Sequence, residues 1–517
     1  MSSHQSPFDE EFDELVRTEL EKWKVPGLSI AIVQGSEISA KAYGLAELPS
    51  DTHAPRPMTT DALFAACSTT KAFTSAGTSI AIQDSQGTTS PLSWSTTLAS
   101  LIPGEFVLED DHATQNVTLE DALSHRTGMP QHNWTLAFFK SKGSKPASTV
   151  RAMRYMPLAT PLRSKYHYSN HMYIAVSHAL EQRTGIPLGT FMKNRIWKPL
   201  GMNDTYFGAA EAKKDPSTAA RLVQGYDWTP AGSDGSFTTK PEHDWPSNSG
   251  AGAIHSNVID YARWVKELIE PTGPLKGHDT LIKPRTICLE NEDADLPAPF
   301  HGYALGWVVD NYRGQYLYSH GGGWPGYASH VGFVPSKRFG WVIMGNSSSA
   351  RYAAYRIFTF LLDKHLNLPA DPNYQDQIAA IIAKQESLWQ TKLANETPEI
   401  SKQRLFPRLP DPPIPHSLPL IKYTGTYLHR SEAMIDLRIE SGCPVADLQD
   451  RVIPCELSIS HASGEFFIGR IYRTGLDLLP PFMVEFCLDS AGTVTEMGLL
   501  IEPDINEQKI WFGRLGI

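Results

Sequence analysis

The chain has 517 residues, 41% hydrophobic and 20% charged, with 46 basic against 56 acidic side chains and a net charge of −10. That length exceeds one ordinary core and predicts one large domain with a smaller one, in the composition range of soluble globular proteins. The acidic balance, with no Lys/Arg run, excludes binding to a nucleic-acid backbone, which needs a concentrated basic surface.

Phe8, Phe12, Leu15, Val16, Leu20 and Trp23 recur at helical spacing and predict an N-terminal helix, with no basic or apolar leader before it. Two strand-like runs follow, 28–34 and 38–43, separated by Gly35-Ser-Glu in a hairpin pattern. Helical segments dominate to about residue 270, and strands return after Tyr303, at 306–309, 316–318 and 341–344. A sheet built from both ends of a segment with a helical middle is an α+β arrangement, not a βαβ alternation. Farther on, a helix over 374–393 leads into a proline-rich linker at 405–415. Short β-like runs at 423–428, 434–439, 466–472, 483–488, 494–501 and 509–512 then predict a small sheet or barrel. The expected division is a large domain over 1–370, helix and linker over 371–415, and a β domain over 416–517. No apolar stretch is long enough to span a bilayer, so no membrane partner is expected. The five cysteines are scattered, without CxxC or zinc spacing, and no HExxH is present. Together with the absent leader, this leads to the expectation of a cytoplasmic protein without metal or cofactor.

Three clusters carry chemistry. Ser68-Thr-Thr-Lys71 is the one Ser-x-x-Lys in the chain, ahead of an apolar run that reads as a buried helix. If Ser68 opens that helix, Lys71 lies one turn on and on the same face. A serine hydroxyl needs such a neighbour, being a poor nucleophile until its proton is removed. Tyr166-His-Tyr168-Ser-Asn170 is the second cluster. A tyrosine beside a cationic amine can be drawn towards phenolate and act as base or relay, and Asn170 could orient the amine or a substrate carbonyl. The third, His320-Gly-Gly-Gly-Trp-Pro-Gly-Tyr327, reads as a glycine-rich turn between strands, where backbone can approach a ligand and an amide can serve an oxyanion.

Ser-x-x-Lys, then Tyr-x-Asn, then His-Gly-Gly in this order resembles the serine β-lactamase and penicillin-binding protein superfamily, and within it the class C β-lactamase branch with its esterases, D-aminopeptidases and acyltransferases. Val25-Pro-Gly-Leu28, the stretch 117–130, Lys198-Pro-Leu-Gly-Met-Asn-Asp-Thr205, the stretch 251–260 and Tyr303-Ala-Leu-Gly-Trp307 are similar to family patterns too. The resemblance covers about residues 10–365. It implies an antiparallel sheet flanked by helices with an all-helical subdomain, and the tail from about 416 resembles the lipocalin-like barrel appended to some members.

The resemblance further implies that Ser68 attacks a carbonyl, that Lys71 and Tyr168 move its proton, and that Asn170 positions lysine and substrate. The backbone N–H groups of Ser68 and Gly323 would hold the oxyanion, with Gly322 and Trp324 beside them as substrate-binding neighbours. His320 stands where most β-lactamases carry lysine. A histidine is mostly neutral at pH 7 unless its site raises it, which weakens the case for a carboxylated substrate. The expected substrate is therefore a small-molecule ester, lactone or thioester, cleaved through an acyl-Ser68 intermediate. Acyl transfer from the same intermediate, D-amino peptide or β-lactam hydrolysis, and a non-catalytic scaffold of the same fold are the alternatives. Tyr166, Trp324 and Tyr327 could line an apolar acyl pocket, and His167 and His171 are expected as hydrogen-bonding neighbours of that pocket.

Overall fold

The computed structural model describes residues 7–51, 53–141, 145–231, 234–242, 249–288, 296–297, 301–366, 371–394, 396–473, 476–505 and 508–516. Helix α1 (Glu10–Lys22) is capped by Asp9, whose carboxylate accepts the Phe12 N–H, and its first turn is acidic, as the positive helix end favours. The chain then runs out along β1 (Gly27–Gln34) and back along β2 (Glu37–Glu47), pairing Leu28 with Tyr43 and Gln34 with Glu37. Gly35 makes the tight turn possible by taking a φ of +60°. The short strand β3 (Arg56–Pro57) edges this hairpin.

The middle of the chain is mainly helical, with α2 (Thr70–Asp84), α3 (Asn170–Thr184) and α4 (Val258–Ile269) as its longest elements. Strands β4 (Thr286–Cys288), β5 (His301–Tyr303), β6 (Val308–Tyr312), β7 (Gln315–Trp324), β8 (Tyr327–Val334) and β9 (Phe339–Gly345) complete a nine-stranded sheet. Its order is β3-β2-β1-β9-β8-β7-β6-β5-β4, and every pairing is antiparallel. The two ends of the segment thus meet at β1 and β9, as the sequence predicts for an α+β fold.

Both faces of this sheet are covered, and β1 is buried from Gly27 to Val33. Leu28, Ile30 and Ile32 share a core with Phe12 and Val16 of α1 and with Ile357 and Phe358 of α5 (Ala350–His365). Ala31 and Val33 point the other way, into a core with Trp264 and Val265 of α4 and Phe73 of α2. Helix α2 is buried on all sides from Thr70 to Ala81, and so lies inside the domain. Among the described residues no helix is long and apolar enough to cross a membrane.

Helices α6 (Pro372–Ala394) and α7 (Pro398–Leu405) lead to the C-terminal strands. These are β10 (Gly425–Leu428), β11 (Met434–Glu440), β12 (Cys443–Leu448), β13 (Cys455–Ser463), β14 (Phe466–Arg473), β15 (Leu476–Asp477), β16 (Phe482–Leu488), β17 (Val494–Leu500) and β18 (Ile510–Arg514). The order β13-β12-β11-β10-β18-β17-β16-β14 closes through a β13–β14 pairing into an eight-stranded barrel, with β15 attached to β14. Three features depart from the sequence reading. Helix α7 runs up to the proline-rich segment, started by the Thr397 side chain accepting the Ile400 N–H. Strands β12 and β13 were hidden by Pro444, Asp447 and a polar alternation. The glycine triplet 321–323 is strand, not turn, because it pairs along β8, with Gly322 opposite Ser329 and Gly323 opposite Ala328.

Candidate active site

Ser68 lies in a single 3-10 turn, Cys67–Thr69, that runs directly into α2. Cys67 is buried and takes a φ of +52°, a conformation that costs a non-glycine residue about 1–3 kcal/mol and persists only where the surroundings enforce it. The enforcement is visible at Ala66. Its N–H donates to Ile254 O at 2.8 Å, and its carbonyl accepts from Thr69 Oγ1 and from Ser329 Oγ, each at 2.8 Å.

Lys71, one turn along α2, is fully buried. Its Nζ lies 3.1 Å from Ser68 Oγ, 2.7 Å from Asn170 Oδ1 and 2.9 Å from the Ala251 carbonyl. Burial drives its pKa well below the usual lysine value. In the neutral amine, two N–H bonds serve Asn170 and Ala251, whose oxygens can only accept, and the lone pair is left facing the Ser68 hydroxyl. Tyr168 completes the chain by donating its Oη–H to Ser68 Oγ at 2.9 Å. Burial raises the phenol's pKa far above its ordinary value, so it stays protonated. This reverses one expectation: the tyrosine is not drawn towards phenolate, and the group suited to taking the serine proton is Lys71. Tyr168 is then placed as a donor.

The immediate neighbours of Tyr168 are aromatic. The His125 ring lies 4.5 Å from that of Tyr168, 5.3 Å from Tyr173 and 4.7 Å from Tyr303, and its Nδ1 accepts the Ser169 N–H. His320 is 5% exposed. Its Nδ1 is 2.6 Å from the Gly321 carbonyl, so Nδ1 carries the proton and Nε2 accepts from Tyr303 Oη at 3.0 Å. Burial, with Lys71 nearby, pushes its pKa down to about 3. His320 is therefore a neutral hydrogen-bonding ring at neutral pH and supplies no fixed positive charge.

A cleft of about 670 Å³ opens over Ser68 and brings Tyr168, Asn170, His320, Gly323 and Trp324 together. Gly322 does not line it. A Cβ there would stand 2.3 Å from Ser329 Oγ and 2.7 Å from Ala66 O, so Gly322 lets β7 lie against the turn that carries Ser68. Gly321 and Gly323 have open space where a Cβ would go. Trp324 and Tyr327 line the cleft, whereas Tyr166 packs behind it against His125 and Tyr303. His167 and His171 do not line it either: His167 is 4.0 Å from Asp504, and His171 sits beside Thr135 and the His132 ring. The sequence reading missed the Ala251 carbonyl, His125, Tyr173 and the two oppositely charged lining residues, Asp227 and Arg351. A backbone carbonyl leaves no residue-type signal; His125 lay within the quoted stretch 117–130 without being singled out.

This geometry sets a serine hydroxyl between a buried lysine amine and a tyrosine hydroxyl, on a fold of antiparallel sheet and helices. Residues 12–361 match the family Beta-lactamase, and residues 409–514 match a Domain of unknown function (DUF3471). The chain belongs to the beta-lactamase family and is a serine hydrolase. It is 34% identical over 522 residues to the Unguisins hydrolase ungD' of Aspergillus campestris, spanning 99% of this chain and 92% of that protein. The octameric penicillin-binding protein homologue from Pyrococcus abyssi shares the fold at a TM-score of 0.57 and 19% identity, over 97% of this chain and 99% of that one. The D-amino acid amidase from Ochrobactrum anthropi shares it at 0.54 and 20%, over 68% of this chain and 99% of the amidase.

Proposed function

We propose that the chain hydrolyses a small-molecule ester or lactone, through attack of Ser68 on the carbonyl and an acyl-Ser68 intermediate. Lys71 takes the serine proton, and the backbone N–H groups of Ser68 and Gly323 receive the oxyanion. Tyr168 then gives its proton to the leaving oxygen; in deacylation the Tyr168 oxygen takes a proton from the attacking water, and Lys71 returns its proton to Ser68 Oγ as the acyl group departs. Asn170 holds Lys71 with its lone pair on the serine. The observation that carries the choice of substrate is His320: buried, neutral and hydrogen-bonded through both ring nitrogens, it offers a carboxylate nothing to pair with. Asp227, in the same cleft, is ion-paired with Lys240 at 3.6 Å, which leaves Arg351 as the other charged residue lining it.

The same acyl-enzyme passes its acyl group to an alcohol or amine where one occupies the place of water, and an amide is attacked in the same way as an ester. The names of the relatives make unguisins and D-amino acid amides compounds to include in the comparison. The test is a screen of p-nitrophenyl esters, nitrocefin and D-amino acid p-nitroanilides, each with and without added alcohol, followed by unguisins. Turnover of neutral esters well above the β-lactam and the anilides supports this reading. Turnover confined to nitrocefin or to the anilides contradicts it.

A further inference from the structure

The cleft over Ser68 is not walled by the sheet-and-helix domain alone. Ile453, Ile471, Leu478 and Leu479, all from the C-terminal barrel, line it together with Leu136 and Trp324. These barrel residues are held in place by backbone. The Ile453 N–H donates to Leu136 O at 2.8 Å, Val452 N–H to Phe139 O at 3.0 Å and Ser141 N–H to Asp450 O at 3.0 Å. Lys140 and Arg451 form an antiparallel bridge between the same two segments. The pairing therefore runs to the lip of the cleft, where Leu136 and Ile453 both contribute side chains. Aromatic rings reinforce it: Phe138 meets Phe512 at 5.7 Å and Trp134 meets His429 at 5.4 Å. Past the end of β14, the Leu478 N–H donates back to Ile471 O at 2.8 Å, which sets the two half-buried leucines beside Ile471.

A wall of four aliphatic side chains has no hydrogen-bonding group and recognises only apolar surface. The cleft is also far larger than an acetyl group requires. We infer that the barrel is the specificity element of this enzyme, its Ile453, Ile471, Leu478 and Leu479 holding a bulky apolar acyl part next to the scissile carbonyl. The substrate class is thereby narrowed to acyl compounds with a long aliphatic or aromatic acyl group. This rests on the acyl-Ser68 reading, since it is the acyl part attached to Ser68 that must fit the wall.

The test uses the full-length protein with Leu478→Asn, Leu479→Asn and the double variant, against p-nitrophenyl acetate, butyrate and octanoate, which share one leaving group. The readout is the ratio of kcat/KM for octanoate to that for acetate. The parent should favour octanoate, and the double variant should lose at least about tenfold of that ratio, the scale of an apolar contact of a methylene or more. Leu479→Trp, which fills the space instead, should also lower it, so the test does not depend on one variant folding. A purely structural role would lower both esters together and leave the ratio where it was, and that result overturns the inference. Labelling of Ser68 by a small alkyl fluorophosphonate separates the two levels. If the parent is labelled but the ratio does not move, the barrel assignment fails and the acyl-serine reading stands. If Ser68 is not labelled at all, both fail.

Discussion

Tyr168, Ser68 and Lys71 form one directed chain of hydrogen bonds, and the direction comes from acceptors that cannot donate. Because Asn170 Oδ1 and Ala251 O occupy two N–H bonds of Lys71, removing either end of the chain disrupts the same proton path. Lys71→Ala and Tyr168→Phe should each cost about 10²–10⁴ in kcat, with the double variant no worse than the poorer single one. A pH–rate profile distinguishes their roles. Activity should rise with pH along a limb whose midpoint lies well below 10.5, the depressed Lys71 titration, and Tyr168→Phe should lower the plateau without moving that limb. Disappearance of the limb in Tyr168→Phe would assign the base to the tyrosine. His320 makes a second prediction at this scale. With a pKa of about 3, its charge does not change from pH 5.5 to 8.5, so KM for a carboxylated substrate relative to its methyl ester should be flat over that range. His320→Lys should shift that preference towards the acid by about 1 kcal/mol if the new ammonium stays partly solvated.

At Gly322 the strand β7 lies directly against Ser329 of β8 and the turn that leads into α2, with no room for a further atom. Gly322→Ala would put a methyl 2.3 Å from Ser329 Oγ and 2.7 Å from the Ala66 carbonyl, and the nucleophile turn would have to move. We expect about 1–3 kcal/mol of destabilisation with a fall in kcat, read by thermal melting and steady-state kinetics. Gly321→Ala, one residue away with open space around it, should leave the melting temperature close to the parent's. Equal effects at the two positions would show that the triplet matters as flexible backbone instead. This contrast marks how far the sequence could be read. The order of Ser68, Lys71, Tyr168, Asn170 and His320 was legible because each is a chemically distinctive residue type at a fixed offset. Which glycine the fold requires was not, since that depends on Ser329 and Ala66, remote in sequence and unremarkable in type. The strand at 443–448 was obscured for a related reason: its Pro444 and Asp447 are poor strand formers locally, and barrel closure outweighs them.

Across the whole molecule, the sequence separated the barrel from the rest and left open whether it shapes access to the pocket or only packs against the catalytic domain. Ile453, Ile471, Leu478 and Leu479 look like any barrel aliphatics until the pairing of 450–453 with 136–141 is seen. The seam between barrel and catalytic domain also buries neutral histidines. Burial holds His132 down to about 3, and His171 and His429 to about 4. His132 has both ring nitrogens engaged, accepting from Trp134 Nε1–H at 3.0 Å and donating to Pro157 O at 2.8 Å. An unfolded chain protonates such rings near 6.5. Below that pH the unfolded state binds more protons than the folded one, and stability falls as pH drops towards 4. Glu502 acts in the opposite sense: burial raises it to about 7 from 4.5, a cost that is full above pH 7 and relieved on acidification. One carboxyl does not offset several rings, so the melting temperature should decline steadily between pH 6.5 and 4.5. A melting temperature that is flat or rises over that interval would show that the seam is hydrated or opens readily.

A covalent acyl group on Ser68 can be trapped during turnover. The protein is mixed with a p-nitrophenyl ester, quenched in acid during turnover, digested and analysed by mass spectrometry for the added acyl mass, with Ser68→Ala run alongside. The acyl group should be found on the peptide carrying Ser68, and the Ser68→Ala protein should carry none and turn over no ester while melting close to the parent. An acyl group on another residue, or ester turnover retained by Ser68→Ala, would contradict the account.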